Sequence, residues 1–398
     1  MKNSVLHRNR LEDKKISIAL MSSFAMLTIQ YLVLIIFKLI GTSTGHIIQL
    51  TSKGLVGFFY ILALPAVLKR NKIKCIGIYF TAIFVFIFHY MVFAENQIYL
   101  KLIISPLFFT CFPSLIFAYS ISDWEVLVEV MKRVGNIVFL VGVILGFLVL
   151  LDKVSVGSYS MSLSYYMLLP TIIYLNEFLD EFSFKKGFAL LILFFIILGL
   201  GSRGAVLSIG VFGILKILKS FKKMTYKKVL ILCIIFSLTI AGFAFLNKTL
   251  DFMYSFFRHF GINSRSIALF LRESIHLSGR ENIYDKVFSE TLKNPLLGLG
   301  LAGDRMAIGG GYAHNIFIEI LANFGVIAGT FLSIALLYII NRPLFIEDTK
   351  KSDMAIIWIS IGFIPLLVSG SYLTDLKFWI MTGLLLSLNQ KCKLKLNI

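Results

Sequence analysis

Residues 315–340 read NIFIEILANFGVIAGTFLSIALLYII, and Glu319 is the single charged side chain in that run. About 20 predominantly apolar residues in a helix cross a hydrocarbon layer of ~30 Å, so this stretch is long enough to span a bilayer. Eleven further runs of similar character lie at 17–40, 47–68, 73–93, 98–119, 135–151, 162–179, 187–201, 203–219, 229–246, 354–370 and 375–389. The pattern predicts an all-α polytopic membrane protein with about 12 transmembrane helices. Residues 1–246 would hold spans one to nine and 247–314 one large, partly helical outer loop. Residues 315–398 would hold spans ten to twelve and a cytoplasmic tail.

Composition agrees. Of 398 residues, 58% are hydrophobic and 15% charged, yet the net charge is +18. Soluble domains run about 45–50% apolar and about 25% charged. The combination excludes an ordinary cytosolic enzyme, a disordered basic tail and a typical nucleic-acid binder.

The position of the positive charge gives sidedness. With the N-terminus inside, the inner segments are 1–16, 69–74, 120–136, 176–186, 216–228, 341–353 and 389–398, and they hold 25 of the 39 Lys and Arg residues. The short outer loops hold Lys153, Arg203 and Lys377. That asymmetry follows the positive-inside rule and predicts both termini in the cytoplasm. The basic lead before the first span has no small-residue cleavage site, so that span reads as retained. The long loop 247–314 carries Lys248, Arg258, Arg265, Arg272, Arg280, Lys286, Lys293 and Arg305. Long translocated loops are exempt from the charge rule. Lys38, Lys53 and Lys101 fall in the outer parts of spans. They either snorkel to headgroups or help an outer cavity hold an anion.

Several chemistries lack their residues. No inner loop is long enough for an ATP-binding domain, and no G-x-x-x-x-G-K-[ST] loop occurs. Energy must come from a gradient or from an activated substrate. Gradient-coupled carriers place Asp or Glu deep in the membrane. Here the acids sit in loops or at span ends, with Glu319 the nearest exception. The outer face has neither a D-x-D pair nor an H-E-x-x-H run, so no metal is expected there. None of the four cysteines lies in an outer loop, so no structural disulfide is expected. No internal repeat is visible.

Three outer-face helix starts carry the functional signal. In Gly199-Leu200-Gly201-Ser202-Arg203-Gly204, Ser202 is a plausible N-cap and Arg203 opens the helix. In Ser278-Gly279-Arg280-Glu281 a capped helix begins, with Ile283, Val287, Phe288 and Leu292 on its apolar face and Asn294-Pro295 as its end. A cation in a first turn opposes the helix dipole unless an anion is near. Upstream, Arg258, Arg265 and Arg272 repeat every seven residues, which suits either anionic lipid or substrate. In Gly309-Gly310-Gly311-Tyr312-Ala313-His314-Asn315, His314 stands at the entrance of span ten. A helix N-terminus and nearby arginines disfavour its protonation, and a neutral imidazole can act as a general base. Two arginines and a histidine on one side of the membrane suit a diphosphate leaving group and a deprotonated acceptor hydroxyl.

At these residues the sequence resembles the O-antigen ligase/polymerase superfamily of bacterial membrane glycosyltransferases. The matching pieces are Gly201-Ser202-Arg203-Gly204, Ser278-Gly279-Arg280, Asn294-Pro295-Leu296-Leu297-Gly298-Leu299-Gly300, and Ala313-His314-Asn315-Ile316-Phe317-Ile318-Glu319 with Gly325 beyond. They cover roughly 200–330. The resemblance implies a metal-independent, cofactor-free, inverting enzyme of GT-C type in the cytoplasmic membrane. It would take sugar chains from undecaprenyl diphosphate on the outer face, with membrane lipid around it and no nucleic-acid partner. Carried over by motif, His314 would be the base, and Arg203 and Arg280 would bind the diphosphate. Lys53 and Lys101 match by position the basic residues that the family uses near early spans. Further candidates for substrate contact are Arg258, Arg265, Arg272, Arg305, Asn315 and Glu319. A polymerase of this family joins lipid-linked repeat units, beside a flippase and a chain-length regulator. A ligase moves the finished chain to a lipopolysaccharide core. The His314-Asn315…Glu319…Gly325 pattern looks more like polymerases. A carrier or flippase for lipid-linked sugar and a non-catalytic scaffold are the readings from other classes.

Overall fold

The structure is a computed structural model. It describes residues 2–150, 161–200, 202–220, 244–259, 279–346 and 348–396, with isolated positions between 226 and 240. The elements are α1 (Lys2–Ile36), α2 (Ser43–Val92), α3 (Gln97–Pro106), α4 (Phe112–Tyr119), α5 (Trp124–Leu150), α6 (Met161–Asp180) and α7 (Phe184–Gly199). There follow α8 (Arg203–Ser220), α9 (Leu246–His259), α10 (Gly279–Lys293), α11 (Gly303–Ile308), α12 (Ile316–Asn341), α13 (Thr349–Gly362) and α14 (Leu376–Leu396). No strand occurs among the described residues.

Five described helical stretches are long and apolar enough to cross a membrane: Arg8–Ile36, Ser43–Val92, Ala94–Tyr119, Trp124–Val149 and Ile316–Phe345. Over the described residues the structure is that of an all-α membrane protein. Several other expected spans are short helices. At 1.5 Å per residue, a helix the length of Phe184–Gly199 reaches only about 24 Å. The ninth expected span, 229–246, lies mostly outside the described residues.

Two expectations change in detail. Spans 47–68 and 73–93 form one 50-residue helical run, broken only where Asn71 leaves helical geometry (φ −141°, ψ 32°). At 1.5 Å per residue its contour is ~75 Å, over twice a hydrocarbon thickness, and it counts as one apolar stretch rather than two. Its middle is tied down: Arg70 Nη1 donates to Ser120 O at 2.9 Å and Asn71 Nδ2 to Ser120 Oγ at 2.9 Å. The second change is at span five. Its helix starts at Trp124, not 135, because Asp123 Oδ1 caps the Glu125 and Val126 amides and Val126, Leu127, Val130 and Met131 are buried.

The chain divides into two compact units, one of 1–64 with 122–275 and one of 65–121 with 276–398. In the first, α1 packs on α5, α5 on α6 and α6 on α7. Segments predicted on the inner face meet there. Asp13 accepts from the Ser122 amide at 2.9 Å, from its hydroxyl at 2.7 Å and from the Asp123 amide at 3.3 Å. Arg10 pairs with Glu129 at 3.0 Å, Lys132 and Lys186 with Glu177 at 2.6 and 2.8 Å, and Lys216 with Asp180 at 3.1 Å.

In the second unit, α14 packs on α4 and α13, and α10 on α12 and α11. Segments predicted on the outer face meet there, besides the contact of 70–71 with Ser120. Asn96 Nδ2 donates to Leu299 O at 2.6 Å, and Asn315 Nδ2 to Leu367 O at 3.3 Å. Many side chains of α2 stay exposed, among them Ile47, Phe58, Ile61, Ile73, Phe80, Phe84 and Met91. A face that apolar suits lipid tails, since in water it would drive association.

Candidate functional site

The turn after α10 sets the site's frame. The chain 294–300 docks backbone to backbone on α12 at Gly325, which departs from helical geometry (φ 78°, ψ 172°). Leu299 N–H donates to Ala322 O at 2.7 Å, and Val326 N–H donates to Pro295 O at 2.7 Å. Only glycine allows the approach on both sides. A Cβ at Gly298 would lie 2.5 Å from Ala322 O, and one at Gly325 would lie 2.4 Å from Leu296 O. Leu301 N–H then donates to His89 Nδ1 at 3.0 Å, and Ala302 N–H to Asn323 Oδ1 at 3.1 Å. These bonds seat α11 against the head of α12.

α11 carries Asp304 and Arg305, both buried. Arg305 Nη1 lies 3.2 Å from Asp304 Oδ1 and 3.6 Å from Glu319 Oε1. Arg305 Nη2 donates to Ser371 Oγ at 2.8 Å, and the Ser371 hydroxyl donates to Glu319 Oε1. Tyr372 N–H donates to Glu319 Oε2 at 3.2 Å, and Asn323 Nδ2 to Tyr372 Oη at 2.8 Å. One guanidinium serves two carboxylates here, and neutral hydroxyl and amide donors supply the rest of the hydrogen bonds that buried polar groups require. Burial pushes the Asp304 carboxyl above the usual carboxylate range, against the pull of Arg305 and the Ala313 amide.

From Ile308 the chain passes through Gly309 and Gly310, both at positive φ, to His314. His314 also lies in the left-handed region, at φ 56°. For a residue bearing a Cβ that geometry costs roughly 1–2 kcal/mol. The next residue, Asn315, caps α12: its Oδ1 accepts from Phe317 N–H at 3.0 Å and Ile318 N–H at 3.4 Å. The His314 ring is half-buried, with its centroid 4.2 Å from that of Tyr312. Its Nδ1 is buried and has no hydrogen-bond partner among the described residues. Burial holds His314 below the ordinary imidazole range, and the Arg280 cation pushes the same way. At neutral pH the ring is therefore uncharged and able to accept a proton.

Arg280 is exposed in the first turn of α10. The helix is buried along Val287 and Thr291, whereas Phe288 and Leu292, expected on the same apolar face, are about half exposed. The second unit thus brings His314 and Arg280 into electrostatic contact, with Asn315 and Glu319 on α12 below them. Arg305 is turned inward, where Nη1 and Nη2 bond to protein groups. Lys101 is exposed on α3.

The first unit holds the others. Arg203 is the first residue of α8, and Ser202 Oγ accepts the Ala205 amide at 3.3 Å as the expected cap. Lys53 is exposed on α2, and Arg258 is exposed in the last turn of α9. Arg265 and Arg272 lie outside the described residues. Among the described residues, no group of three or more His, Cys, Asp and Glu side chains could hold a metal ion.

Asp304, Ser371, Tyr372 and Asn323 escape a reading of sequence. The one local signal is the adjacent pair Asp304-Arg305 in the otherwise uncharged stretch 294–314.

Residues 188–333 match a protein-family model described as O-Antigen ligase. No curated protein and no solved structure matches the chain. The matched segment runs from α7 to the middle of α12 and holds Arg203, Arg280, the 294–300 turn and His314. Over this segment, which is less than half of the chain, the match supports the resemblance to the O-antigen ligase/polymerase superfamily.

Proposed function

We propose that the protein polymerises lipid-linked oligosaccharide repeat units of an O-antigen or similar surface polysaccharide. The reaction takes place on the outer face of the bacterial cytoplasmic membrane. The observation that carries this reading is His314, uncharged at neutral pH, with Arg280 opening the neighbouring helix.

In this mechanism His314 removes the proton of an acceptor hydroxyl, and the oxygen attacks the donor's anomeric carbon. The new C–O bond forms as the anomeric C–O bond to undecaprenyl diphosphate breaks, with inversion. The leaving diphosphate takes the electron pair, and Arg280 stabilises its charge. The resemblance assigns Arg203 the same role. The arginines supply the positive charge that a divalent metal supplies in other transferases. Lys53 and Lys101 are further candidates for substrate contact, as are the basic side chains of 258–272. In the same reading the chain crosses the membrane twelve times with both termini cytoplasmic. Single-cysteine reporters placed at 2, 153, 223 and 310 test that topology by their labelling from each side.

The direct test is purified protein in lipid discs with lipid-linked repeat units. Elongated product without other proteins is expected, and its absence with an intact, inserted chain would overturn the reading. Elongation also excludes a pure carrier or a scaffold. His314→Ala is expected to lower the rate by about 10²–10⁴-fold while leaving insertion intact.

The ligase is the second reading, favoured by the description of the matching family. The two differ on deletion of the gene. Loss of a polymerase leaves single repeat units, with a flippase and chain-length regulator still present as partners. Loss of a ligase leaves full polymer on undecaprenyl diphosphate.

A further inference from the structure

The imidazole of His314 stands at the end of a glycine-rich connection whose glycines do little to fix it. Gly309, Gly310 and Gly311 precede it, two of them at positive φ, and His314 itself is left-handed. Something outside this connection must hold the ring in place. On the C-terminal side the Asn315 cap does so. On the N-terminal side the Gly310 amide bonds Arg305 O at 2.8 Å and the Tyr312 ring packs on the imidazole, and next to the histidine the backbone is held by one carboxylate. Asp304 Oδ2 accepts the Ala313 amide at 3.0 Å, across nine residues of chain, and both residues are fully buried.

Asp304 is itself anchored to the helix that His314 precedes. Its Oδ1 is 3.2 Å from Arg305 Nη1, and the same guanidinium reaches Glu319 on α12 and Ser371 Oγ. The connection from 309 to 314 is therefore closed at both ends on one rigid body, the head of α12. Flexible chain lies between those ends, and the reactive ring lies at the closure.

We infer that Asp304 is the positioning residue of His314: its carboxylate holds the Ala313 amide, and with it the left-handed turn that aims the imidazole. Asp304 touches no substrate in this arrangement. The inference rests on His314 being the base in the proposed transfer. A base must sit within hydrogen-bond reach of the proton that it takes, and a misplacement of ~1 Å costs about 10²-fold in rate. The same geometry gives Arg305 and Glu319 a place one step further out, as the support for Asp304.

The test uses the full chain in lipid discs and three readouts: kcat, KM for a lipid-linked repeat unit, and the His314 ring resonances. The resonances come from ¹⁵N-histidine labelling and are assigned by their loss in His314→Gln. In Asp304→Asn the amide presents one NH2 to two donors, so one of the two bonds is lost. The expected result is a kcat lower by about 10²-fold, a KM within about threefold of the parent, and displaced His314 resonances. A parental kcat, a change confined to KM, or unmoved resonances would overturn the inference.

If Asp304→Asn does not survive purification, Ser371→Ala carries the test. It removes the hydroxyl that holds Arg305 and so loosens Asp304 at one remove. A kcat lower by about tenfold with displaced resonances supports the inference, and parental values of both overturn it. A parent chain that transfers no sugar sinks the functional reading instead. The resonances of Asp304→Asn, or of Ser371→Ala in its place, still decide the positioning claim in that case.

Discussion

Two sets of charged groups in this protein, one in each compact unit, are handled in opposite ways. In the first, cations and carboxylates meet at helix ends in pairs that stay partly in solvent. Arg10 and Glu129 are both more than half exposed, and Lys132 and Lys186 share Glu177 at the rim. In the second, Asp304, Arg305 and Glu319 are sealed from solvent and bonded to Ser371, Tyr372 and the Ala313 amide. Exposed pairs contribute about 0–1 kcal/mol each, because water screens them and ordering long side chains opposes them. A buried pair contributes little net stability when whole, yet removing one partner costs about 3–5 kcal/mol. The first arrangement tolerates change, and the second enforces one geometry. The enforced geometry is the one next to His314.

Substitutions at each end of that contrast should separate the two regimes. The largest effect is expected for Arg305→Met, which leaves Asp304 and Glu319 facing each other without a cation. Thermal unfolding in detergent should show a loss of about 3–5 kcal/mol, and a loss below ~1 kcal/mol would erase the distinction between the units. Asp13→Ala should fall between the extremes. Asp13 is buried and accepts three hydrogen bonds from Ser122 and Asp123, so orphaning those donors should cost about 1–3 kcal/mol. Lys186→Met should be near the floor, within about 1 kcal/mol, because Glu177 keeps Lys132.

A pH profile sharpens the same contrast on the functional side. Folding lowers the pKa of His314, so its neutral form persists below the ordinary histidine value of about 6.5. The acid limb of transfer should therefore lie below that value, with activity lost as pH falls through it. In Arg280→Met one of the two causes is gone, so any residual activity should show its limb moved to higher pH while burial still holds it down. A limb that stays put would mean that Arg280 does not act on His314.

Much of the frame was legible because it depends on local properties. Spans follow from apolar runs, and the Lys and Arg distribution groups the connecting segments by face. The structure joins 1–16 with 120–136, and 176–186 with 216–228. The Ser202 cap and the helix opening at Gly279-Arg280 were likewise legible, because each is decided within a single turn, whereas Asn315 was read as a substrate contact and proves to be a cap. The buried cluster was not. Arg305 and Ser371 are 66 residues apart, Glu319 and Ser371 are 52 apart, and no periodicity links them. The left-handed turn at His314 was also hidden, since it is imposed by a distant carboxylate rather than by a glycine at that position. The Asn71 kink was hidden for a related reason: Ser120 holds it, and residues 69–74 alone look like an ordinary loop.

The junction at Gly325 bears on how this protein could be recombined with its relatives. An uninterrupted helix would bond Val326 N–H to Ala322 O. Here that one bond is replaced by two that run into the turn, from Val326 to Pro295 and from Leu299 to Ala322. In a membrane no backbone group can be left unpaired. The turn is therefore spliced into the hydrogen-bond ladder of the helix, and neither half is complete alone. A chimera that replaces part of this region must keep 294–326 as one block, with both glycines.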